Sequence, residues 1–220
     1  MTTDHGLGRL FAPDERDANH PVRALLPPAL STRPYRYWNA QGWWFNQLTR
    51  PICVGASLAM LLEDGPVTQG GVAPIFGPEL IYAEAQQVDE WPGTGYAGTS
   101  VRAGMKVLQA HGFISGYKWA TSLQEIVQTL LEVGPVVMGT NWYRGMMKTD
   151  EAGFVHVTGD IAGGHAYKLD GVNTTARVVR GKQSWGRDWG NNGFFYMGFA
   201  DLERLLHEDG EAALAVEIRK

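Results

Sequence analysis

Gln47-Leu-Thr-Arg-Pro-Ile-Cys53-Val-Gly-Ala-Ser-Leu-Ala-Met-Leu-Leu62 sets the only cysteine of the chain directly before an almost wholly apolar run. From Val54 to Leu62 the one polar side chain is Ser57, so a helix here is apolar all round and belongs in the middle of a domain. Pro51 keeps that helix from starting earlier, and Gly65-Pro66 ends it after about Glu63. A thiol at such a start lies beside unpaired backbone N–H groups and the positive end of the helix dipole, both of which favour the thiolate. A lone cysteine is more often a small buried hydrophobe. What separates the two readings is whether a general base, a group to orient it and an oxyanion donor occur elsewhere.

The totals bound the search. A chain of 220 residues makes one sizeable domain or two lobes sharing an interface. A net charge of −4 with 19% charged residues offers no basic stripe for nucleic acid or anionic lipid. Twenty-eight glycines, eight tryptophans and eight tyrosines point to turns and aromatic strands. One cysteine makes no internal disulfide, the first residues lack a signal-peptide pattern, and no run is long enough to span a bilayer, so a cytoplasmic location is expected.

Residues 1–36, rich in Pro, Arg and Asp, are expected to form an extended arm over the body, with 37–220 as the folded domain. Helices are expected at Pro78–Val88, at Thr99–His111 behind a hydroxyl cap, and after Ser122-Leu-Gln-Glu125, a capping-box sequence. Gly93-Thr-Gly-Tyr-Ala-Gly98 matches a dinucleotide pattern, but the strand that pattern requires is missing, so it reads as a loop. After Gly134-Pro135 the chain turns to short β runs, including 136–139, 153–157, 166–169, 177–180, 193–197 and 214–218. A helical half (about 37–133) followed by an antiparallel β half (about 134–220) is an α+β arrangement, with a natural cleft between lobes.

In the β half, Gly163-Gly-His165-Ala-Tyr167 places a histidine at a strand start behind two glycines. The other histidines, His5, His20, His111, His156 and His207, read as polar surface residues. Eighteen residues on comes Gln183-Ser-Trp185-Gly-Arg-Asp-Trp189-Gly-Asn-Asn-Gly193-Phe-Phe. Together with Gln47 six residues before Cys53, and with Gly164-His165-Ala166, this segment resembles the papain-like C1 cysteine peptidases over roughly residues 34 to 218. Asp14-Glu-Arg-Asp17 is similar to a short motif ahead of the catalytic domain in bacterial members, and Tyr96 to Gly112 to the family's substrate-side glycine loop and third helix.

The resemblance implies a papain-like two-lobe fold, with a central catalytic helix in the first lobe and a β-barrel-like second lobe. It implies a cysteine endopeptidase acting on peptides or proteins through an acyl-enzyme, without metal or cofactor. Cys53 would be the nucleophile, His165 its ion-pair partner, Gln183 the orienting amide and Gln47 an oxyanion donor. Gly98, Thr99, Val101, Gly164, Ala166 and Trp185 would contact substrate, with Gly164, Ala166 and Val101 suggesting a roomy apolar pocket for the second substrate residue. Other Cys-His acyl transfer, by an amidase or transglutaminase-like enzyme, and a catalytically weak peptide-binding module are the alternatives. Three features depart from the family: Gln183 stands where an asparagine is usual, the half-cystines of secreted members are absent, and no long helical propeptide precedes the domain. The chain as written is therefore expected to be competent, although the arm could cover the cleft.

Overall fold

The computed structural model describes residues 5–40, 43–66 and 76–217, so most of the loop expected over 65–78 lies outside the described residues. Helix α1, Cys53–Asp64, is buried at every position except Glu63, as an all-round apolar helix must be. Small residues let its neighbours close in. A Cβ on Gly55 would stand 2.1 Å from the Pro78 carbonyl oxygen at the start of α2 (Pro78–Val88), and one on Gly104 of α3 (Val101–Ala110) 2.3 Å from Leu58 Cδ1. The cap of α3 is Ser100, whose hydroxyl accepts the Ala103 N–H at 3.0 Å, so the helix starts two residues later than the expected Thr99.

All strand pairings are antiparallel. After β1 (Tyr35–Tyr37) come β2 (Gly116–Trp119), β3 (Val136–Tyr143), β4 (Ile161–Asn173), β5 (Val178–Lys182), β6 (Phe194–Gly198) and β7 (Glu211–Val216). The sheet runs β2-β7-β3-β4-β5-β6, with β1 added to the end of β4. Its end strands β2 and β6 do not meet, so the expected barrel-like lobe is an open sheet. The 153–157 run is not a strand; Phe154 makes only a bridge to Tyr196, and the Asp150 carboxylate holds the turn through the Ala152 and Phe154 N–H groups.

Two cores flank the sheet. One joins α1, α2 and α3 to Val137, Ala166 and Ala213; the other packs α4 (Leu123–Glu132) and α5 (Phe199–His207) around Trp142, Tyr167 and Phe195. Because Ile126, Val127, Leu130 and Leu131 of α4 belong to the second core, the lobes interleave rather than divide near residue 133. The arm is more than an extended strip, with 3₁₀ turns at Glu15–Asn19 and Val22–Ala24 before β1.

A buried ion cluster ties the cores together. Asp64, at the end of α1, accepts from the ammonium groups of Lys168 on β4 and Lys182 on β5, the latter at 2.7 Å, and all three side chains are fully buried. Lys182 also donates to the carbonyls of Ala40 and Trp43 at 3.2 and 2.8 Å. Burial pushes the Lys182 ammonium down to about 8. Removing one partner from such a cluster strands the remaining charge in the interior, so Asp64→Ala is expected to lower unfolding stability by about 3–5 kcal/mol. Chemical denaturation checks this, and a loss below about 1 kcal/mol would show the cluster to be dispensable.

Candidate active site

Cys53 opens α1 and His165 lies on β4, and the two are brought together where that helix crosses the sheet. The backbone N–H of Ala166, the residue after the histidine, donates to Cys53 Sγ at 3.4 Å. His165 Nε2 donates to Gln183 Oε1 at 2.7 Å, so the glutamine amide reaches the ring despite its extra methylene. That same oxygen accepts the Ser184 N–H at 3.0 Å, which fixes the amide's direction. His165 Nδ1 is buried and makes no hydrogen bond. Trp185 stacks on the imidazole at 4.8 Å and Trp142 meets it edge-on at 5.0 Å, so solvent is kept from the Gln183 contact.

Gln47 is reached through the same segment. Its N–H donates to the Ser184 carbonyl and its Oε1 accepts the Ser184 hydroxyl at 2.6 Å, which turns its Nε2 toward the cleft. Ser184 has the plainest positioning duty here, and sequence reasoning gave it none. One Gln47 Nε2 bond goes to the Arg50 carbonyl at 2.7 Å and the other to the carbonyl of Gly6, at 2.9 Å. The Trp185 indole N–H donates to that same Gly6 oxygen at 3.2 Å.

Gly6 belongs to the arm, which runs through the cleft. The N–H groups of Gly8 and Arg9 donate to the Gly164 carbonyl at 2.9 and 3.0 Å. Thr99 donates to the Gly8 carbonyl and accepts the Leu10 N–H, each at 2.9 Å, a parallel bridge centred on Arg9. Glycines make the fit possible on both sides. A Cβ would stand 2.1 Å from the Arg50 oxygen at Gly6, 2.2 Å from the Pro51 oxygen at Gly8, 2.6 Å from the Gly8 oxygen at Gly98, and 2.0 Å from the Arg9 oxygen at Gly164. His5, read from sequence as a surface residue, instead stacks on Trp185 at 4.4 Å. Farther along, buried Arg102 of α3 binds Asp17, Glu90 and the Ala12 carbonyl, so the Asp14–Asp17 motif serves to pin the arm.

The pocket expected to be apolar is not. Arg9 fills it, beside Val101, and its guanidinium meets the buried Glu211 carboxylate at 3.2 Å. Ala166 is buried in the helical core, and its N–H is taken up by Cys53 Sγ. Thr99 presents its backbone to the cleft while its hydroxyl turns away to Asp89 at 2.7 Å.

Burial disfavours charge on both Cys53 and His165. Burial pushes the Cys53 thiol up to about 12, opposed by the N–H groups of Ala166, Val54 and Cys53 itself. Burial also pushes the His165 imidazole down to about 3, against the Gln183 hydrogen bond, which favours the charged ring. Desolvation here outweighs the helix terminus and the orienting amide.

Residues 85–204, more than half of the chain, match the papain family cysteine protease model. The chain belongs to the papain family. Similar curated proteins include a cathepsin B-like cysteine proteinase 6 of Caenorhabditis elegans, 31% identical over 83 residues, which are 37% of this chain and 22% of that protein. A cathepsin B-like cysteine proteinase of Schistosoma japonicum is 32% identical over 91 residues, 40% of this chain and 27% of that protein. The matches thus span about a quarter of those relatives' length. Among solved structures, xylellain, a cysteine protease from Xylella fastidiosa, superposes with a TM-score of 0.72 at 17% identity, covering 100% of this chain and 98% of that one. A digestive procathepsin L2 proteinase from Tenebrio molitor gives 0.63 at 15% identity, covering 98% and 79%.

Within this papain-family site, main chain of the arm lies in the groove beside Cys53, as the expectation that the arm could cover the cleft allowed. Gly8→Val would drive a side chain into the Pro51 carbonyl and displace the arm. Labelling of Cys53 by iodoacetamide at pH 7.5 is then expected to quicken by at least about 10-fold, since the thiolate fraction rises as water returns. Equal rates in the two proteins would show that the arm does not control the thiol.

Proposed function

We propose that this papain-family chain is a cysteine endopeptidase, held latent by residues 5–12 of its own arm. The observation that carries the reading is a main chain lying past Cys53, held by backbone groups of Gly164 and Thr99 that recognise any peptide irrespective of side chain. A groove of that kind suits a polypeptide better than a small amide. With the arm withdrawn, Cys53 gives its proton to His165 Nδ1, the ring nitrogen that carries no other bond. The thiolate adds to the carbonyl carbon, and the oxyanion takes hydrogen bonds from Gln47 Nε2 and the Cys53 N–H. His165 then protonates the leaving amine, and on the return step takes a proton from the water that opens the acyl-enzyme.

Gln183 holds the imidazole in the required rotamer through Oε1, with Ser184 fixing Gln47 from the adjacent residue. The partners we infer are peptides or proteins and not nucleic acid, which a net charge of −4 does not favour. Among the described residues no helix is long and apolar enough to cross a membrane. The one cysteine is free, which suits a cytoplasmic, reducing setting.

Hydrolysis of a quenched-fluorescent protein substrate by the Gly8→Val chain tests the reading. Cys53→Ala in that background is expected to abolish turnover and keep the fold. Gln183→Ala is expected to lower kcat/KM by roughly 10- to 100-fold, about 1.4–2.7 kcal/mol of transition-state stabilisation. Turnover that survives Cys53→Ala would remove the nucleophile. Amine incorporation in place of hydrolysis would reassign the chain to acyl transfer.

A further inference from the structure

Thr99 offers both its backbone N–H and its carbonyl to the chain in the cleft. It ends a glycine-rich stretch in which Gly93 and Gly98 take positive φ values of 74° and 105° and residues 92–95 are exposed. A loop of that composition has much freedom to lose, so its last residue has to be fixed from outside. Three side chains from one side of α2 do this: Tyr82, Gln86 four residues on, and Asp89 at the C-cap. The Tyr82 hydroxyl accepts the Gly98 N–H at 3.0 Å, and Gln86 Nε2 donates to the carbonyls of Tyr96 and Gly98 at 2.9 and 3.1 Å. Asp89 holds the most points. Its Oδ2 accepts the Thr99 hydroxyl at 2.7 Å, while Oδ1 accepts the Tyr96 hydroxyl and, at 3.2 Å, the Trp91 N–H. The carboxylate does nothing for the helix, because the negative end of a helix dipole disfavours an acid at the C-cap. Its bonds go to the loop.

We infer that Asp89 is a positioning residue for peptide binding: by holding the Thr99 hydroxyl it sets the Thr99 backbone where a peptide main chain can pair with it. This rests on the peptidase reading above, and Asp89 itself touches no reacting atom. The same Thr99 backbone now pairs with Gly8 and Leu10, so one carboxylate governs how firmly the cleft grips both its own arm and a substrate. The competing account is that Asp89 serves only to fold the loop.

Two thiol reagents used on the full chain separate these accounts. A tetrapeptidyl chloromethyl ketone reaches Cys53 by pairing with the Thr99 backbone, whereas iodoacetamide needs no such pairing. In the Gly8→Val chain, Asp89→Ala is expected to slow the ketone at least about 10-fold and to leave iodoacetamide within about 3-fold. Hydrolysis of a fluorogenic peptide is expected to lose kcat/KM through a raised KM, with kcat within about 3-fold. In the chain that keeps Gly8 the sign reverses: Asp89→Ala is expected to quicken iodoacetamide labelling at least about 3-fold, because the arm loses the same support. Thr99→Val deletes the other end of the bond and is expected to match Asp89→Ala, with the double variant no worse than either. Asp89→Asn, which keeps an acceptor, is expected to fall between. If Asp89→Ala fails to fold, Thr99→Val decides by the same ratio. A ketone-to-iodoacetamide ratio that these substitutions leave unmoved overturns the inference, whatever the level of hydrolysis. A ratio that moves in a chain without any hydrolysis keeps the inference and rejects the peptidase reading, and failure of the ketone to modify Cys53 in the Gly8→Val parent rejects both.

Discussion

One buried carboxylate decides how the two cores meet. Asp64 ends the helix that Cys53 begins, while Lys168 and Lys182 stand three residues after His165 and directly before Gln183. Their contact therefore sets the helix that begins with Cys53 against the strand carrying His165 and the strand that Gln183 directly follows. An interior ion cluster of this kind is weak evidence for stability, because the desolvation of each charge offsets much of the attraction. Its value lies in direction. A hydrophobic contact tolerates sliding, whereas a carboxylate bound by two ammonium groups, one of them also bound to Ala40 and Trp43, has a single satisfied arrangement.

The same desolvation governs the reactive pair. A helix start and an orienting amide both favour charge on Cys53 and His165, yet burial opposes it more strongly, raising the thiol and lowering the imidazole. The proposed latency would thus be an electrostatic condition as much as a steric one. The covering peptide is held by Gln47 Nε2, the Gly164 carbonyl and the backbone of Thr99.

Much of the candidate site's geometry was legible because each part has a local signature. An apolar run behind a lone cysteine gives the buried helix, a Gly-Gly-His strand start places His165 on β4, and the tryptophan-glycine segment puts Trp185 over the His165–Gln183 contact. What escaped notice is non-local. Glu211 opens a strand with nothing in the neighbouring sequence to mark it, and only the fold brings it to Arg9, 202 residues away. The open edges of the sheet and the membership of α4 in the second core are likewise matters of packing, since its apolar face would suit either lobe. In the arm, the Asp14–Asp17 motif was readable but the close approach at Gly6 and Gly8 was not, since two glycines in a short stretch do not say which backbone they meet.

The protonation state of His165 tests the account most directly. Nitrogen-detected NMR of histidine-labelled protein follows its two ring nitrogens against pH. In the intact chain the imidazole is expected to stay neutral from pH 8 down to about pH 4, protonated on Nε2 toward Gln183, consistent with a value near 3. With Gly8→Val it is expected to become an imidazolium in the neutral range as Cys53 ionises. An imidazolium already present in the intact chain at pH 6–7 would contradict the claim that the arm holds the pair uncharged.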